Sequence, residues 1–224
     1  MIISTHLPKT AGSSFSSSLK GHFGESNFRE DYGDWPINTP KTKRNYRALR
    51  DYFFNQTKDY SGVECIHGHF LTLKYLGLRK KPNTQFVTWL RDPIQRMASH
   101  YYFWKRTYHA EKSPILQRKM VEENWTLERF CLGNEVRNFY SSFLWGFPLK
   151  RFDFIGITEH YKDDLAWFSK NILQANLETK NENINTIIGD QYQLSEKLKK
   201  EIEQWHSKDI QLYKEALLIR SARF

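Results

Sequence analysis

Met1-Ile2-Ile3-Ser4-Thr5-His6-Leu7-Pro8-Lys9-Thr10-Ala11-Gly12-Ser13-Ser14-Phe15 is the stretch that decides the fold. Met1 to Leu7 is short, apolar and rich in β-branched residues, as a buried strand is. Pro8 to Ser14 is small and polar, and Phe15 to Phe23 suits a helix. Strand, loop and helix in that order make the unit from which α/β sheets are assembled. The loop also carries chemistry. Small residues let the backbone approach a ligand, and a helix start offers N–H groups and partial positive charge. Lys9 adds a full charge, while Thr10, Ser13 and Ser14 add hydroxyl donors. The segment reads as a site for phosphate or a similar oxyanion. A Ser-rich helix start with a solvated lysine has the same composition, and that reading stays open. The order is not Gly, four residues, Gly-Lys-Ser/Thr, because here the lysine comes first.

Outward from this unit, Val63 to His67 reads as a second strand ending at Gly68. Phe86 to Leu90 reads as a third, apolar throughout like a strand buried on both faces. Asp92-Pro93 opens a helix, with Asp92 as N-cap, Pro93 at the first helical position and Gln95 at the third. Phe152 to Ile157 gives a fourth strand, with Thr158 expected to cap the helix after it. Leu194, Leu198, Ile202, Trp205, Leu212, Tyr213 and Ala216 keep helical spacing and predict one long C-terminal amphipathic helix. Residues 29–61 are polar, charged and aromatic, and predict a surface excursion with a short helix around Tyr46–Phe54. The alternation predicts an α/β fold: a single domain over 1–224 with a central, mostly parallel sheet flanked by helices. Ligands of such sheets bind outside the carboxyl ends of the strands. The loops after Leu7, His67, Leu90 and Ile157 are therefore the places to look.

Composition narrows the class. The 224 residues include 16% aromatics, too many for a disordered chain. Lys and Arg number 34 against 25 Asp and Glu, a formal charge of +9 that favours an anionic ligand or partner. The basic residues are spread along the chain and form no stripe of the kind that marks nucleic-acid binding. No apolar run is long enough for a transmembrane segment, and no secretory leader is visible at Met1. Cys65 and Cys131 make neither a disulfide framework nor a zinc motif, so both read as buried small hydrophobes in a reduced, cytoplasmic protein.

Two further clusters stand at predicted strand ends. Arg91 closes the third strand, and Arg96, Ser99 and Phe103 follow Asp92 on one helical face. Arginine presents a planar fork suited to phosphate, so Arg91 and Ser99 can hold a second anion. A salt bridge from Arg91 to Asp92 is the plainer reading, and Arg96 reads as a structural ion-pair partner. His67 and His69, at i and i+2, share a face. They suit a base or metal ligands, but no third ligand has matching spacing. His22, His100, His109, His160 and His206 are given no role.

Taken together, these segments resemble sulfotransferases that use 3′-phosphoadenosine-5′-phosphosulfate (PAPS). Pro8-Lys9-Thr10-Ala11-Gly12-Ser13-Ser14-Phe15 is similar to their 5′-phosphosulfate loop. Arg91-Asp92-Pro93 with Arg96, Ser99 and Tyr101-Tyr102-Phe103 is similar to their 3′-phosphate motif. His67-Gly68-His69 between them resembles the carbohydrate subgroup of the heparan-sulfate 2-O type. The resemblance implies a P-loop-NTPase-like sulfotransferase fold, PAPS as donor, no metal, and a hydroxyl acceptor, with a glycan or sugar first. It implies that Lys9, Thr10, Ala11, Gly12, Ser13 and Ser14 bind the phosphosulfate, and that Arg91 and Ser99 bind the 3′-phosphate. His69 then takes the acceptor proton, Lys9 offsets charge on the leaving oxygen, and His67 contacts the acceptor. A loop over the nucleotide is expected around Asn183 to Gly189. Trp35, Trp104 and Trp145 are candidates for stacking on sugars, and Lys74, Arg79, Lys80 and Lys81 for attracting an anionic glycan. Lacking the anchor of the animal Golgi members, and shorter than they are, the chain is expected to act in the cytoplasm.

Two rival classes remain at this point. A kinase or NTPase shares the strand–loop–helix but needs a magnesium-binding carboxylate at a strand end. A non-enzymatic binder of an acidic polymer would use the +9 charge alone.

Overall fold

The structure is a computed structural model that describes residues 1–33, 39–177 and 192–223. Strand β1 (Ile2–Thr5) runs into helix α1 (Gly12–Phe23). A short strand β2 (Phe28–Glu30), helix α2 (Lys41–Thr57), strand β3 (Cys65–Gly68) and a 3-10 segment over Thr72–Lys80 follow. Strand β4 (Gln85–Leu90) leads into α3 (Pro93–Arg106). Helices α4 (Ile115–Glu122), α5 (Leu127–Cys131) and α6 (Phe139–Phe143) precede strand β5 (Phe154–Ile157). Beyond it lie α7 (Tyr161–Phe168), α8 (Glu196–Trp205) and α9 (Ser207–Ser221).

The sheet runs β2-β3-β1-β4-β5, and its pairings are parallel, as the alternation of strands and helices predicts. Successive strand residues face opposite sides, and here both sides are apolar. Ile2, Cys65, Val87, Trp89 and Phe154 pack with Phe15 and Leu19 of α1 and Phe168 of α7. Ile3, Ile66, Phe86, Leu90, Ile155 and Ile157 face the other way, against α6 and Ala216 of α9. A sheet without a polar face has to be covered on both, so each connection crosses over with a helix. Trp89 lies opposite Gly156 in the β4–β5 register. A Cβ at Gly156 would stand 2.3 Å from the indole, so glycine makes the room. A third cluster joins Ile94, Met97 and Trp104 of α3 to Phe130 of α5 and Ile202 of α8. Both cysteines are free and buried.

Asp92 caps α3 as its sequence indicates, accepting the Gln95 N–H at 2.9 Å. Three expectations need correction. The excursion over 29–61 contributes an edge strand, β2, whose Phe28 is buried while Arg29 and Glu30 are exposed. Its helix is 17 residues long, not a short one. The C-terminal helix is two helices, α8 and α9, broken at His206. That imidazole is buried, accepts the Asn138 N–H at Nδ1 (3.2 Å) and donates from Nε2 to the Cys131 carbonyl (2.7 Å). Thr158 caps no helix; its hydroxyl donates to the Leu90 carbonyl at 3.0 Å, tying the end of β5 to β4.

Candidate functional site

The chain leaves β1 toward β2 and β3 on one side and later returns to β4 on the other. The carboxyl end of β1 is thus the point where the strand order reverses. His6 follows β1 there, His69 follows β3 and Arg91 follows β4. The sequence-predicted groups from three separated segments therefore meet at one end of the sheet.

The first loop is built around left-handed backbone. Lys9 has φ 68° and Ala11 φ 61°, and neither is glycine. Such φ values are uncommon for residues with a Cβ and are kept where the surroundings enforce them. Gly12 opens α1, and the first helical bond runs from the Phe15 N–H to the Ala11 carbonyl at 3.1 Å. The positive end of α1 faces this loop. Thr10 is buried, and its hydroxyl donates to the Leu7 carbonyl at 2.7 Å, so this side chain shapes the loop. Gly12 is needed for space: a Cβ there would stand 1.9 Å from the His6 ring. Ser13 is exposed and Ser14 half-buried at the helix start.

Lys9 reaches from the loop to α3, with Nζ 3.8 Å from the Phe103 ring centre. Its pKa is pushed down to about 8 by burial, then by the charges of Arg91 and Arg106. Arg91 from the end of β4 and Arg106 from the last turn of α3 thus both act on Lys9 of the first loop. The approach of an anion relieves that repulsion. Arg106 escaped the sequence reading because it lies fourteen positions after Asp92, a full helix away from the motif.

Arg91 is half-buried, and its backbone is pinned: Tyr140 Oη donates to its carbonyl (2.8 Å) and accepts its N–H (3.1 Å). The carboxylate nearest its side chain is Glu159, 4.0 Å from Nε, while Asp92 is used in capping α3. Ser99 is buried on α3. Arg96 is fully buried, donates to Met97 Sδ (2.7 Å), and lies over the rings of Phe139 (4.8 Å) and Tyr140 (5.2 Å). It is packed against rings and, among the described residues, forms no ion pair: its Nε and Nη1 have no hydrogen-bond partner, so the expected ion-pair role is not what the structure shows.

Three imidazoles form the second part of the site. His6 lies 5.1 Å from His67 and 4.5 Å from His69, between ring centres. The His6 peptide is fixed at both ends: its N–H donates to the Gly68 carbonyl (2.8 Å), and its carbonyl meets His69 Nδ1 at 2.6 Å. A carbonyl only accepts, so Nδ1 of His69 carries the proton and Nε2 of the neutral ring carries the lone pair. His67 is buried against Ser4 Oγ (2.8 Å), and its Nε2 has no hydrogen-bond partner. Burial and then the His69 charge push the His67 pKa down to about 3. His6 is lowered well below its usual value by burial, then by His67, His69 and Lys9. Both are neutral at pH 7. Among the described residues, no group of three His, Cys, Asp or Glu stands where it would hold a metal ion.

Tyr32 closes this group, 4.9 Å from the His69 ring and with Oη 3.4 Å from His6 Nδ1. Sequence reasoning missed it because only the pairing of β2 with β3 brings it here: the Asp31 N–H donates to the His67 carbonyl at 2.9 Å. Asp31 accepts hydrogen bonds from Lys74 Nζ and Tyr75 Oη, both at 2.6 Å, so Lys74 is tied down. Arg79 likewise pairs with Asp153 at 3.1 Å. Trp104 is core and is not open to stack on a sugar, whereas Trp145 is half-buried. Trp35 and the loop expected over Asn183 to Gly189 lie outside the described residues.

No protein-family model matches the chain. Two curated relatives do, each over 134 residues. They are heparan sulfate 2-O-sulfotransferase 1 of Xenopus laevis, at 28% identity, and of Gallus gallus, at 27%. The alignment covers 57% of this chain and 35% of each relative, so the chain spans about a third of their length. A solved sulfotransferase domain from the curacin biosynthetic pathway aligns over 93% of this chain and 82% of that one. Its TM-score is 0.36 and its identity 12%. No helix among the described residues is long and apolar enough to cross a membrane. The motifs at the ends of β1, β3 and β4 and the two curated relatives agree on one family, the sulfotransferases, near the carbohydrate type.

Proposed function

We propose that the chain, as one domain over 1–224, transfers a sulfuryl group from PAPS to a hydroxyl of a carbohydrate, with His69 as the base. The observation that carries this reading is the His69 contact with the His6 carbonyl. It holds one tautomer and leaves Nε2 as the proton acceptor, beside the oxyanion loop. The donor fits the donor set: Arg91 and Arg106 both act on Lys9, next to the positive end of α1.

When bound, PAPS supplies the sulfuryl group and a phosphate leaving group. The chain's residues do the rest. The backbone of Ala11 and Gly12 with Ser13 and Ser14 holds the phosphosulfate end, and Thr10 keeps the loop in shape. Lys9 offsets charge at the leaving oxygen. Arg91 and Ser99 hold the 3′-phosphate. His69 Nε2 takes the proton of the attacking hydroxyl, while His6 and Tyr32 keep its ring in place. His67 is assigned to the acceptor by the family resemblance; its ring is neutral and buried, with an unpartnered Nε2 shielded from solvent. In-line group transfer of this kind depends on positioning and charge. A cytoplasmic setting belongs to the same proposal and suits two free cysteines.

Calorimetric titration with 3′-phosphoadenosine-5′-phosphate, with ATP as control, tests the donor assignment. Binding of the first well above the second is expected. Equal binding, or none, would overturn it.

A further inference from the structure

Gln95 stands where a capping box would use it. As the third residue of α3, its side chain is expected to reach back to the N-cap N–H. That N–H is already taken, because Asp92 donates it to Glu159 Oε1 at 3.0 Å. The Gln95 amide, buried at the helix start, instead bonds a residue 97 positions along the chain. Its Nε2 donates to the Tyr192 carbonyl (3.2 Å), and its Oε1 accepts the Tyr192 N–H (2.8 Å). One side chain thus grips both backbone groups of one residue, as an amide with a donor and an acceptor side by side allows.

The Tyr192 ring is fixed as well. It stacks on Tyr102, with ring centres 5.2 Å apart and planes inclined by 12°. Gln95, Ser99 and Tyr102 lie at i, i+4 and i+7 on α3 and share one face. Tied by its backbone to the first and by its ring to the third, Tyr192 bridges the turn that carries Ser99. The centre of its ring also stands 6.0 Å from the Arg91 guanidinium carbon. Glu159 is the carboxylate near that guanidinium, 4.0 Å from Nε.

From this arrangement we propose that Gln95 is a positioning residue for the donor's 3′-phosphate, acting through Tyr192; the inference rests on the assignment of that phosphate to Arg91 and Ser99. A ring held beside the guanidinium keeps water from it and strengthens its attraction for phosphate. It also restrains Arg91 from closing the 4.0 Å gap to Glu159, a carboxylate that competes with phosphate for the same fork. A Tyr192 freed from Gln95 does neither. Gln95 therefore sets how strongly the site prefers a nucleotide with a 3′-phosphate over one without it.

The test is calorimetric titration of the intact chain with 3′-phosphoadenosine-5′-phosphate and with adenosine 5′-monophosphate, which lacks the 3′-phosphate. Wild type is compared with Gln95→Met, Tyr192→Leu and Arg91→Met. Methionine keeps the length and helix propensity of glutamine and removes the clamp. Tyr192→Leu keeps the backbone groups that Gln95 holds and removes the ring. Tyr192 is half-buried, so this variant decides the matter if Gln95→Met fails to fold. Gln95→Met and Tyr192→Leu should each weaken binding of the bisphosphate roughly tenfold, the size of one partly desolvated cation–ring contact, and leave binding of the monophosphate unchanged. A merely structural role would weaken both nucleotides alike or move only the melting temperature, and either result would overturn the proposal. So would an unchanged preference in Tyr192→Leu. Arg91→Met should lose the preference outright. A wild type without the preference, or an Arg91→Met variant that keeps it, would overturn the 3′-phosphate assignment and the inference with it.

Discussion

Replacing Gly12 with alanine tests how tightly the histidine group is built. A Cβ at position 12 would stand 1.9 Å from Cδ2 and Nε2 of His6, where ordinary contact begins near 3.4 Å. The ring must therefore withdraw by about 1.5 Å, the difference between those two distances. Withdrawal is obstructed on three sides: His67 is stacked at 5.1 Å, His69 lies at 4.5 Å, and Tyr32 stands edge-on at 6.1 Å. Overpacking of this kind costs roughly 1–3 kcal/mol. Alanine's better helix propensity offsets about 1 kcal/mol of it, so a net loss of up to about 2 kcal/mol is expected. Urea unfolding followed by circular dichroism measures it, on four proteins: wild type, Gly12→Ala, His6→Ala and the double variant. With the imidazole removed, the three contacts nearest the new methyl group are gone, and Gly12→Ala should become neutral or stabilising. The coupling energy should reach about 1 kcal/mol or more. Additive effects of the two substitutions would refute the reasoning. His6→Ala keeps the backbone carbonyl that holds His69, so the cycle isolates the ring contact.

Lys9 binds an anion as the ammonium, and its pKa is pushed down to about 8 by burial, then by Arg91 and Arg106. Affinity for 3′-phosphoadenosine-5′-phosphate should be full near neutrality and fall as pH rises through 8, and Lys9→Met should remove that slope. Calorimetry across this range checks it; the same slope in the variant counts against Lys9. His206 is lowered to about 4 by burial, so the unfolded chain takes up the proton first. Its contribution to stability is complete above about pH 6.5 and declines toward pH 4, by roughly 3 kcal/mol in all. Urea midpoints should fall less between neutral and acid pH in His206→Gln than in wild type; an equal fall in both would count against this reading. Asp164 is fully buried, accepting the Ile157 N–H at 2.7 Å and Arg220 Nε–H at 2.8 Å. Asp164→Ala removes the carboxylate from an otherwise retained, half-buried cation and should cost roughly 3 kcal/mol in thermal or urea unfolding. A loss under about 1 kcal/mol would show the network to be incidental.

The parts of the fold legible in the sequence are those where local signals and burial agree. Phe86 to Leu90 is apolar on both faces because both faces are covered, and the Asp92 cap is a contact within one turn. Strand β2 was not legible. Phe28-Arg29-Glu30 has one apolar residue and forms by backbone pairing to β3, which no local pattern records. The break between α8 and α9 was hidden for a similar reason. His206 fits the helical spacing, and what stops the helix is its bonding to Cys131 and Asn138, far off in sequence. At the site, the loop after β1, Arg91 and the histidine pair were all visible at strand ends. Tyr32 and Arg106 were not, because only the sheet order and the length of α3 bring them in. Thr10 was read as a ligand donor from its type, whereas its buried hydroxyl is used by the Leu7 carbonyl.

The central claim is that His69 accepts a proton in sulfuryl transfer from PAPS. Single-turnover transfer of labelled sulfate from PAPS to a desulfated glycan, comparing wild type with His69→Ala, tests it most directly. The account predicts transfer by the wild type and a loss of roughly 10²–10⁴-fold in the variant, with unchanged affinity for 3′-phosphoadenosine-5′-phosphate. Transfer at the wild-type rate by His69→Ala would contradict it.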